Sequence, residues 1–262
     1  MILLFISDAA PYMTKAAQAI NIFYPKIIRI TCFMHGIHRA CEKIRSMYPN
    51  VDRLISNIKK VFLKAPSRVQ IFKSVESGLE LPPQPIITRW GTWIQAVKYY
   101  AKNFERIVRV FDALNKEEAA SIEIVHDLLH NINIRNKIIF ISSNYGFMEE
   151  SITKLVLCGQ PLSMQIKIVT DAVDSIRCIS SVTANPIKDK FFNVLEKNVG
   201  FTELRNISAS LSGQCSPNEI CTKYSISETL AFKFAPITSI DVERSFSMYK
   251  NAFRSNRQSL KI

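Results

Sequence analysis

Two short apolar runs with an amphipathic segment between them occupy residues 2–31, and they limit the possible folds more than any other feature of the chain. Residues 2–6 form a continuous apolar run, the pattern of a strand buried on both faces. Pro11 can open a helix at its first turn, Pro25 ends that helix, and residues 26–31 have the composition of a second strand. Since strand, helix and strand make a βαβ unit, we predict parallel strands with a right-handed crossover.

The rest of the chain has the periodicity of helices. Apolar residues recur three or four positions apart in the segments 37–47, 51–62 and 90–111, and only 7 glycines occur in 262 residues. We therefore predict an α/β fold that is predominantly helical. The predicted parts are an α/β piece at 1–45, a long helical region at 46–230 and a C-terminal helix returning to the first part at 231–262. Because two strands do not make a self-sufficient sheet, we expect further strands from upstream sequence or from a partner.

The C-terminal segment has two contrasting sides. Thr238 and Asp241 are the predicted cap of its helix. One side is predicted to be a buried apolar stripe, made by Val242, Phe246, Tyr249 and Phe253. The other side is polar and contains Glu243, Ser247, Lys250 and Arg254.

The charge balance favours a polyanionic partner. Lys and Arg number 34 against 22 Asp and Glu, which gives a net charge of +12. Such a surplus favours binding to phosphates, through counterion release, or to a membrane surface.

No apolar run reaches the roughly 20 residues of a spanning helix, and no export signal is visible. We therefore expect an intracellular protein with reduced thiols and no membrane association. The six cysteines are Cys32, Cys41, Cys158, Cys178, Cys215 and Cys221.

Polar residues follow both predicted strands. Asp8 comes directly after the first strand and the segment 32–35 directly after the second, so we expect them side by side at the carboxyl edge of the sheet. Asp8 is either a turn residue or a metal-binding carboxylate, and Glu243 either a solvated helix residue or a second carboxylate approaching Asp8. Trp90 is either a core aromatic or a platform on which an unpaired base stacks.

A zinc site is a weaker alternative for the residues after the second strand. Cys32, His35, His38 and Cys41 are spaced three apart. Each such step turns a helix by about 300°, so Cys32 and Cys41 would lie on nearly opposite faces. We therefore expect no structural zinc there, and we place Cys41 in the core.

Taken in order, four segments resemble the hAT superfamily of DNA transposases. Ser7-Asp8-Ala9-Ala10-Pro11-Tyr12-Met13 is similar to the segment around the family's second catalytic aspartate, and Cys32-Phe33-Met34-His35 to its C-x-x-H signature. Thr88-Arg89-Trp90 resembles the R-W element of the inserted helical region. Residues 239–247, followed by Arg257 and Leu260, resemble the C-terminal dimerisation block.

The resemblance implies a ribonuclease-H-like core that is incomplete here and is interrupted by a long all-α insertion. It assigns Asp8 and Glu243 as catalytic residues that bind Mg²⁺ or Mn²⁺, with His35 beside them. It assigns Trp90 to stacking on a displaced base. We further expect DNA contacts from a group of basic residues that includes Arg89, Arg244, Lys250 and Arg254.

Two departures from the family's pattern change the expected activity. The family's first aspartate belongs on a strand upstream of residue 1, and Ala9 and Tyr12 stand where the family has asparagine. We therefore predict an N-terminally truncated, transposase-derived protein that is nuclear, binds DNA and forms a homodimer. We expect that this chain by itself does not catalyse strand transfer and that it uses no small-molecule cofactor. The alternatives are an active transposase whose upstream exon is missing, and a domesticated protein-interaction scaffold that does not bind DNA.

Overall fold

The chain divides into two compact units in a computed structural model that describes residues 2–86, 91–214 and 223–253. The first unit comprises Met1–Ile37, Thr153–Asp171 and Phe191–Ile262. The second comprises His38–Ile152 and Ala172–Lys190. The first unit therefore contains residues 1–37 of the predicted α/β piece and the C-terminal segment, together with parts of the region predicted as a separate helical insertion, whereas residues 38–45 belong to the second unit. None of the described helices is long and apolar enough to cross a bilayer.

The described chain is predominantly helical, as predicted, and has one small sheet. The strands are β1 (Leu4–Ser7) and β2 (Ile28–Thr31). The first six helices are α1 (Pro11–Phe23), α2 (Phe33–Met47), α3 (Pro49–Phe62), α4 (Pro66–Val75), α5 (Thr92–Asp112) and α6 (Ala120–Leu129). The next six are α7 (Ile132–Leu155), α8 (Leu162–Arg177), α9 (Asn185–Glu196), α10 (Val199–Leu211), α11 (Ile226–Ala231) and α12 (Ile240–Ala252).

The sheet of the first unit has the predicted parallel pairing. β1 pairs with β2 in a register that puts Leu4 beside Ile28 and Ser7 beside Thr31, so both strands end at the same edge. Both strands are shorter than the sequence predicted, because the backbone pairing between them covers only four positions in each strand. Pro11 stands at the start of α1 as expected, where its missing N–H costs no hydrogen bond.

Helix α10 covers the side of β2 that faces away from β1. The side chain of Asn198 accepts a hydrogen bond from the backbone N–H of Thr31 at 3.0 Å and donates one to its carbonyl oxygen at 2.8 Å. Asn198 thus satisfies both backbone groups that another strand would otherwise satisfy. Gly200 brings the helix against β2 so closely that a Cβ there would lie 2.1 Å from the carbonyl oxygen of Arg29.

Two expectations for the N-terminal segment are wrong. The apolar residues of β1 are only half-buried, whereas Ile28 and Ile30 of β2 are buried. The amphipathic pattern of α1 predicts a buried face made by Met13, Ala16, Ala17, Ile20 and Phe23, but only Ala17 is buried, and Phe23 is 79% exposed. The physical reason is that two four-residue strands, the only ones in the described residues, offer too little surface to cover both sides of β1 and a thirteen-residue helix.

The second unit is a helical core of the predicted kind. Helix α3 buries one face from Val51 to Phe62, and α5 buries Trp93, Val97 and Phe104 as its periodicity predicts. Aromatic rings join these elements, with Phe62 in edge-to-face contact with Phe72 and Phe111 at centroid distances of 5.4 and 5.9 Å. Cys41 is buried, as predicted, and burial raises the pKa of its thiol to about 12.

Helix α12 differs from its prediction in both cap and packing. Its N-cap is Ser239 rather than Thr238, and no side chain caps the first turn. The predicted buried stripe of Val242, Phe246, Tyr249 and Phe253 is 56–71% exposed. Among the residues of α12 whose burial the structure describes, buried and half-buried positions lie only at the start of the helix, at Ile240, Glu243 and Arg244. Periodicity identified the apolar face correctly, but no described part of the chain covers it.

Candidate functional site

Asp8 occupies the turn that follows β1. Its Oδ1 accepts a hydrogen bond from the backbone N–H of Ala10 at 3.2 Å, and the side chain is half-buried. The preceding Ser7 donates its hydroxyl to the carbonyl oxygen of Asp8 at 3.0 Å. Asp8 therefore acts as a turn residue, the plainer of its two interpretations, and this role leaves its carboxylate at the carboxyl end of β1.

Cys32 links the end of β2 to the same edge. Its backbone N–H donates to the carbonyl oxygen of Ser7 at 2.8 Å, extending the parallel ladder beyond the strand. Its side chain is fully buried, and the sulfur accepts a hydrogen bond from the backbone N–H of Ser239 at 3.2 Å. Cys32 thus connects the strand end to the start of α12 and is inaccessible to solvent.

Glu243 reaches this edge because the segment before α12 is held against the start of α2. The backbone N–H of Phe33 donates to the carbonyl oxygen of Ile237 at 3.2 Å. The hydroxyl of Ser239 then donates to Oε1 of Glu243 at 3.0 Å, and the same oxygen lies 3.7 Å from Nε2 of His35. Residues that are far apart in sequence are thereby brought together, and the serine fixes the direction of the carboxylate.

His35 is the electrostatic centre of the group. Its pKa is raised, first by a hydrogen bond with Cys32 and then, against the opposing effect of burial, by the negative charges of Cys32, Glu243 and Asp8. For Cys32, burial alone would raise the pKa, but hydrogen bonds from His35 and Ser239 outweigh it and lower the pKa of the thiol. We call Asp8, Cys32, His35 and Glu243 the strand-edge cluster.

The cluster has the donors that a hard divalent cation prefers, but in a loose arrangement. Carboxylate oxygens suit Mg²⁺ and Mn²⁺, and Asp8 and Glu243, whose charges both raise the pKa of His35, supply them. Among the described residues, however, the group whose possible ligand atoms all lie within 4.8 Å of one another is Asp112, His126 and His130. The two carboxylates fit a cation by chemistry, and holding one together with His35 would require these three residues to move closer together.

The residues expected to contact DNA differ in their surroundings. Arg244 donates hydrogen bonds to Cys158 at 2.8 Å and to the carbonyl oxygen of Val156 at 3.0 Å, so it attaches the first turn of α12 to its own unit. Lys250 is exposed on α12. Arg89, Trp90 and Arg254 lie outside the described residues.

Sequence reasoning missed the group formed by Asp112, His126 and His130. The sequence contains a feature that indicates the two histidines of this group, because residues four positions apart in a helical segment lie on one face. The aspartate had no local signal, since it belongs to the preceding helix and only folding brings it close to the histidines.

Comparison with known proteins identified no protein similar to this chain. No model of a protein family matches the chain, and neither the curated proteins nor the solved structures contain a match.

Proposed function

We propose that the chain is a transposase-derived nuclear protein that associates with DNA, pairs with a second copy and has an incomplete divalent-metal site in a ribonuclease-H-like core. One observation carries the proposal: Oε1 of Glu243 lies 3.7 Å from Nε2 of His35, at the edge where two parallel strands end and where Asp8 follows the first of them. These three residues are the ones that resemblance to hAT transposases assigns to the site. Turn formation explains Asp8 alone but does not explain why Glu243 comes to the same edge.

The metal component concerns two carboxylates. Asp8 and Glu243 would hold Mg²⁺ or Mn²⁺, and such an ion would stabilise charge at a bound phosphate. Two of the three carboxylates that the family uses make a weak site, so we expect cation binding without strand transfer by this chain alone. Calorimetric titration with Mn²⁺ should give weaker binding for Asp8→Asn and for Glu243→Gln than for the wild type.

Asp174→Asn is the matched control for that titration, because Asp174 is an exposed residue of the second unit that pairs at the surface with Arg177. It removes the same charge without touching the strand-edge cluster. Equal binding by the wild type and all three variants would show that Asp8 and Glu243 do not form a metal site.

The DNA component rests on the net charge of +12. Neutralising phosphates releases counterions, so the logarithm of the binding constant for duplex DNA should fall linearly with the logarithm of salt concentration. Fluorescence anisotropy over a salt series measures this slope. Affinity that does not depend on salt, or no binding at low salt, would remove the DNA component and favour the interaction scaffold.

The self-pairing component rests on the exposed face of α12. Val242, Phe246, Tyr249 and Phe253 follow spacings of four, three and four, which is the spacing of residues that meet in a helix pair. Two copies of one such face can cover each other about a two-fold axis. Exposed apolar groups in this arrangement favour a second copy as the occupant.

Sedimentation equilibrium tests the pairing. Phe246→Asp should shift the population to monomer, whereas Ile132→Asp, at an even more exposed apolar residue of the second unit, should leave it unchanged. A wild-type chain that is monomeric at all concentrations would contradict this component without affecting the metal or DNA components.

A further inference from the structure

Three potential ligands converge where two helices of the second unit end. Asp112 is the last residue of α5, His126 lies in the last turn of α6, and His130 follows that helix as its C-cap. Oδ1 of Asp112 lies 3.2 Å from Nε2 of His126 and 3.5 Å from Nε2 of His130. The two imidazole rings stack with centroids 4.1 Å apart and planes inclined by 16°. Both rings therefore present the same nitrogen to one carboxylate oxygen.

The hydrogen bond of His130 decides which of its nitrogens is available. Nδ1 of His130 lies 2.9 Å from the backbone carbonyl oxygen of His126, and a carbonyl can only accept, so Nδ1 carries the proton. In the neutral ring Nε2 then has a lone pair, and that lone pair faces the carboxylate of Asp112. A positive species between the two atoms, either a proton or a metal ion, would stabilise this arrangement. A metal-binding histidine uses the same backbone hydrogen bond to fix its tautomer.

The distances fit a small coordination sphere. Bonds of 2.0–2.1 Å to a tetrahedral zinc ion place neighbouring ligand atoms about 3.3–3.4 Å apart. The two distances from Asp112 bracket this value. Moreover, the C-terminal ends of α5 and α6 both have partial negative charge, which favours a cation there.

We propose that Asp112, His126 and His130 bind one zinc-type divalent ion, with water completing the coordination. Two imidazoles and one carboxylate suit Zn²⁺, Co²⁺ and Ni²⁺, whereas Mg²⁺ and Ca²⁺ prefer sites made of oxygen alone. The site is independent of the strand-edge cluster, which belongs to the other unit. The bound ion would join the end of α5 to the end of α6 and so close the intervening loop and helix into a ring.

Two measurements test the site on the whole chain. Calorimetric titration with Zn²⁺ should show one site, and the visible spectrum of the Co²⁺ form should report nitrogen and oxygen ligands. Because an ion that binds only the folded state stabilises it by mass action, added Zn²⁺ should raise Tm in a concentration-dependent manner. The variants are His130→Gln and Asp112→Asn, both at half-exposed side chains (48 and 47%), where replacement leaves the core intact.

The matched control is Asp127→Asn, which removes an exposed acid from the same helix outside the group. We expect the two ligand variants to lose at least about 10- to 100-fold in zinc affinity, since losing even an outer-shell partner has that effect. They should also lose the zinc-dependent rise in Tm. Asp127→Asn should retain both.

Cysteines are the competing ligands, because Cys158 and Cys178 are exposed. A thiolate bound to Co²⁺ gives a near-ultraviolet charge-transfer band, which the proposed ligand set does not produce. Equal zinc affinity in the wild type, His130→Gln and Asp112→Asn would overturn the proposal. A charge-transfer band of equal strength in the wild type and both ligand variants would also overturn it, because it would show that cysteines bind the ion. Unchanged circular dichroism of the variants without metal ensures that any loss of affinity is local.

Discussion

Replacing Gly200 by alanine tests how α10 supports the strand-edge cluster. A Cβ at this position would lie 2.1 Å from the carbonyl oxygen of Arg29, 2.9 Å from its carbonyl carbon and 2.9 Å from Cγ2 of Ile28. Two of these atoms belong to the backbone of β2, so no side-chain rotation relieves the contact. Either α10 or β2 must shift, and the hydrogen bonds of Asn198 to Thr31 would be strained with it.

Two effects of opposite sign set the size of the change. Alanine is favoured over glycine inside a helix by about 0.8–1.0 kcal/mol. Overpacking of a well-packed site costs about 1–3 kcal/mol, and contact with backbone atoms places this site toward the upper end. We therefore expect Gly200→Ala to lower the free energy of unfolding by about 1–2 kcal/mol. At about 2–4 °C per kcal/mol, Tm should fall by several degrees.

Gly146→Ala is the matched control. A Cβ on Gly146, within α7, would meet only the side chain of Lys98 at ordinary contact distances of 3.6–3.8 Å. The helical preference then acts alone, and the variant should be more stable than the wild type by up to about 1 kcal/mol. Thermal unfolding followed by circular dichroism compares the two. If Gly200→Ala is as stable as the wild type, the close packing of α10 on β2 is incorrect.

Three further changes have defined outcomes. Asn198→Ala should lower the free energy of unfolding by about 1–3 kcal/mol, measured by urea denaturation, because it leaves the half-buried backbone groups of Thr31 unsatisfied. Ser225→Ala removes one half of the capping box of α11 and should cost about 1 kcal/mol in the same assay, with a result near zero contradicting the cap. Glu76 has a lowered pKa because of hydrogen bonds from Arg106 and then Arg109, so its stabilising contribution is present above the pKa of an unfolded glutamate and is lost as pH falls through the folded value. Glu76→Gln should accordingly flatten the acid limb of the stability profile, and an unchanged acid limb would exclude these ion pairs as its cause.

The parts of the fold that local pattern encodes could be predicted from the sequence. The apolar runs around Pro11 predicted parallel strands, and parallel strands brought Asp8 and His35 to one edge. The helical periods of α3 and α5 predicted which faces are buried. Each of these inferences depends on spacing along a short segment, which sequence records directly.

The remaining features depend on what lies opposite a segment, which spacing does not record. Periodicity identifies the apolar face of α12 but not whether another surface covers it, and so Phe246 was wrongly placed in a core. Likewise, nothing local indicates that Asn198 would satisfy the edge of β2, or that Ser239 would fix Glu243 by a hydrogen bond. Asp112 joins two histidines through the packing of separate helices.

The pKa of His35 tests the central claim most directly, namely that Asp8 and Glu243 act on one site. Its ring proton can be titrated by NMR in the wild type, Asp8→Asn and Glu243→Gln. The wild-type pKa should lie above the ordinary value of a histidine, first because of the hydrogen bond with Cys32 and then because of the negative charges nearby, and it should fall in both variants. The protonated ring then stabilises the fold fully below the pKa of an unfolded histidine, about 6.5, and this contribution is lost as pH rises through the folded value. A pKa at or below the ordinary value, or one that neither variant changes, would contradict the account.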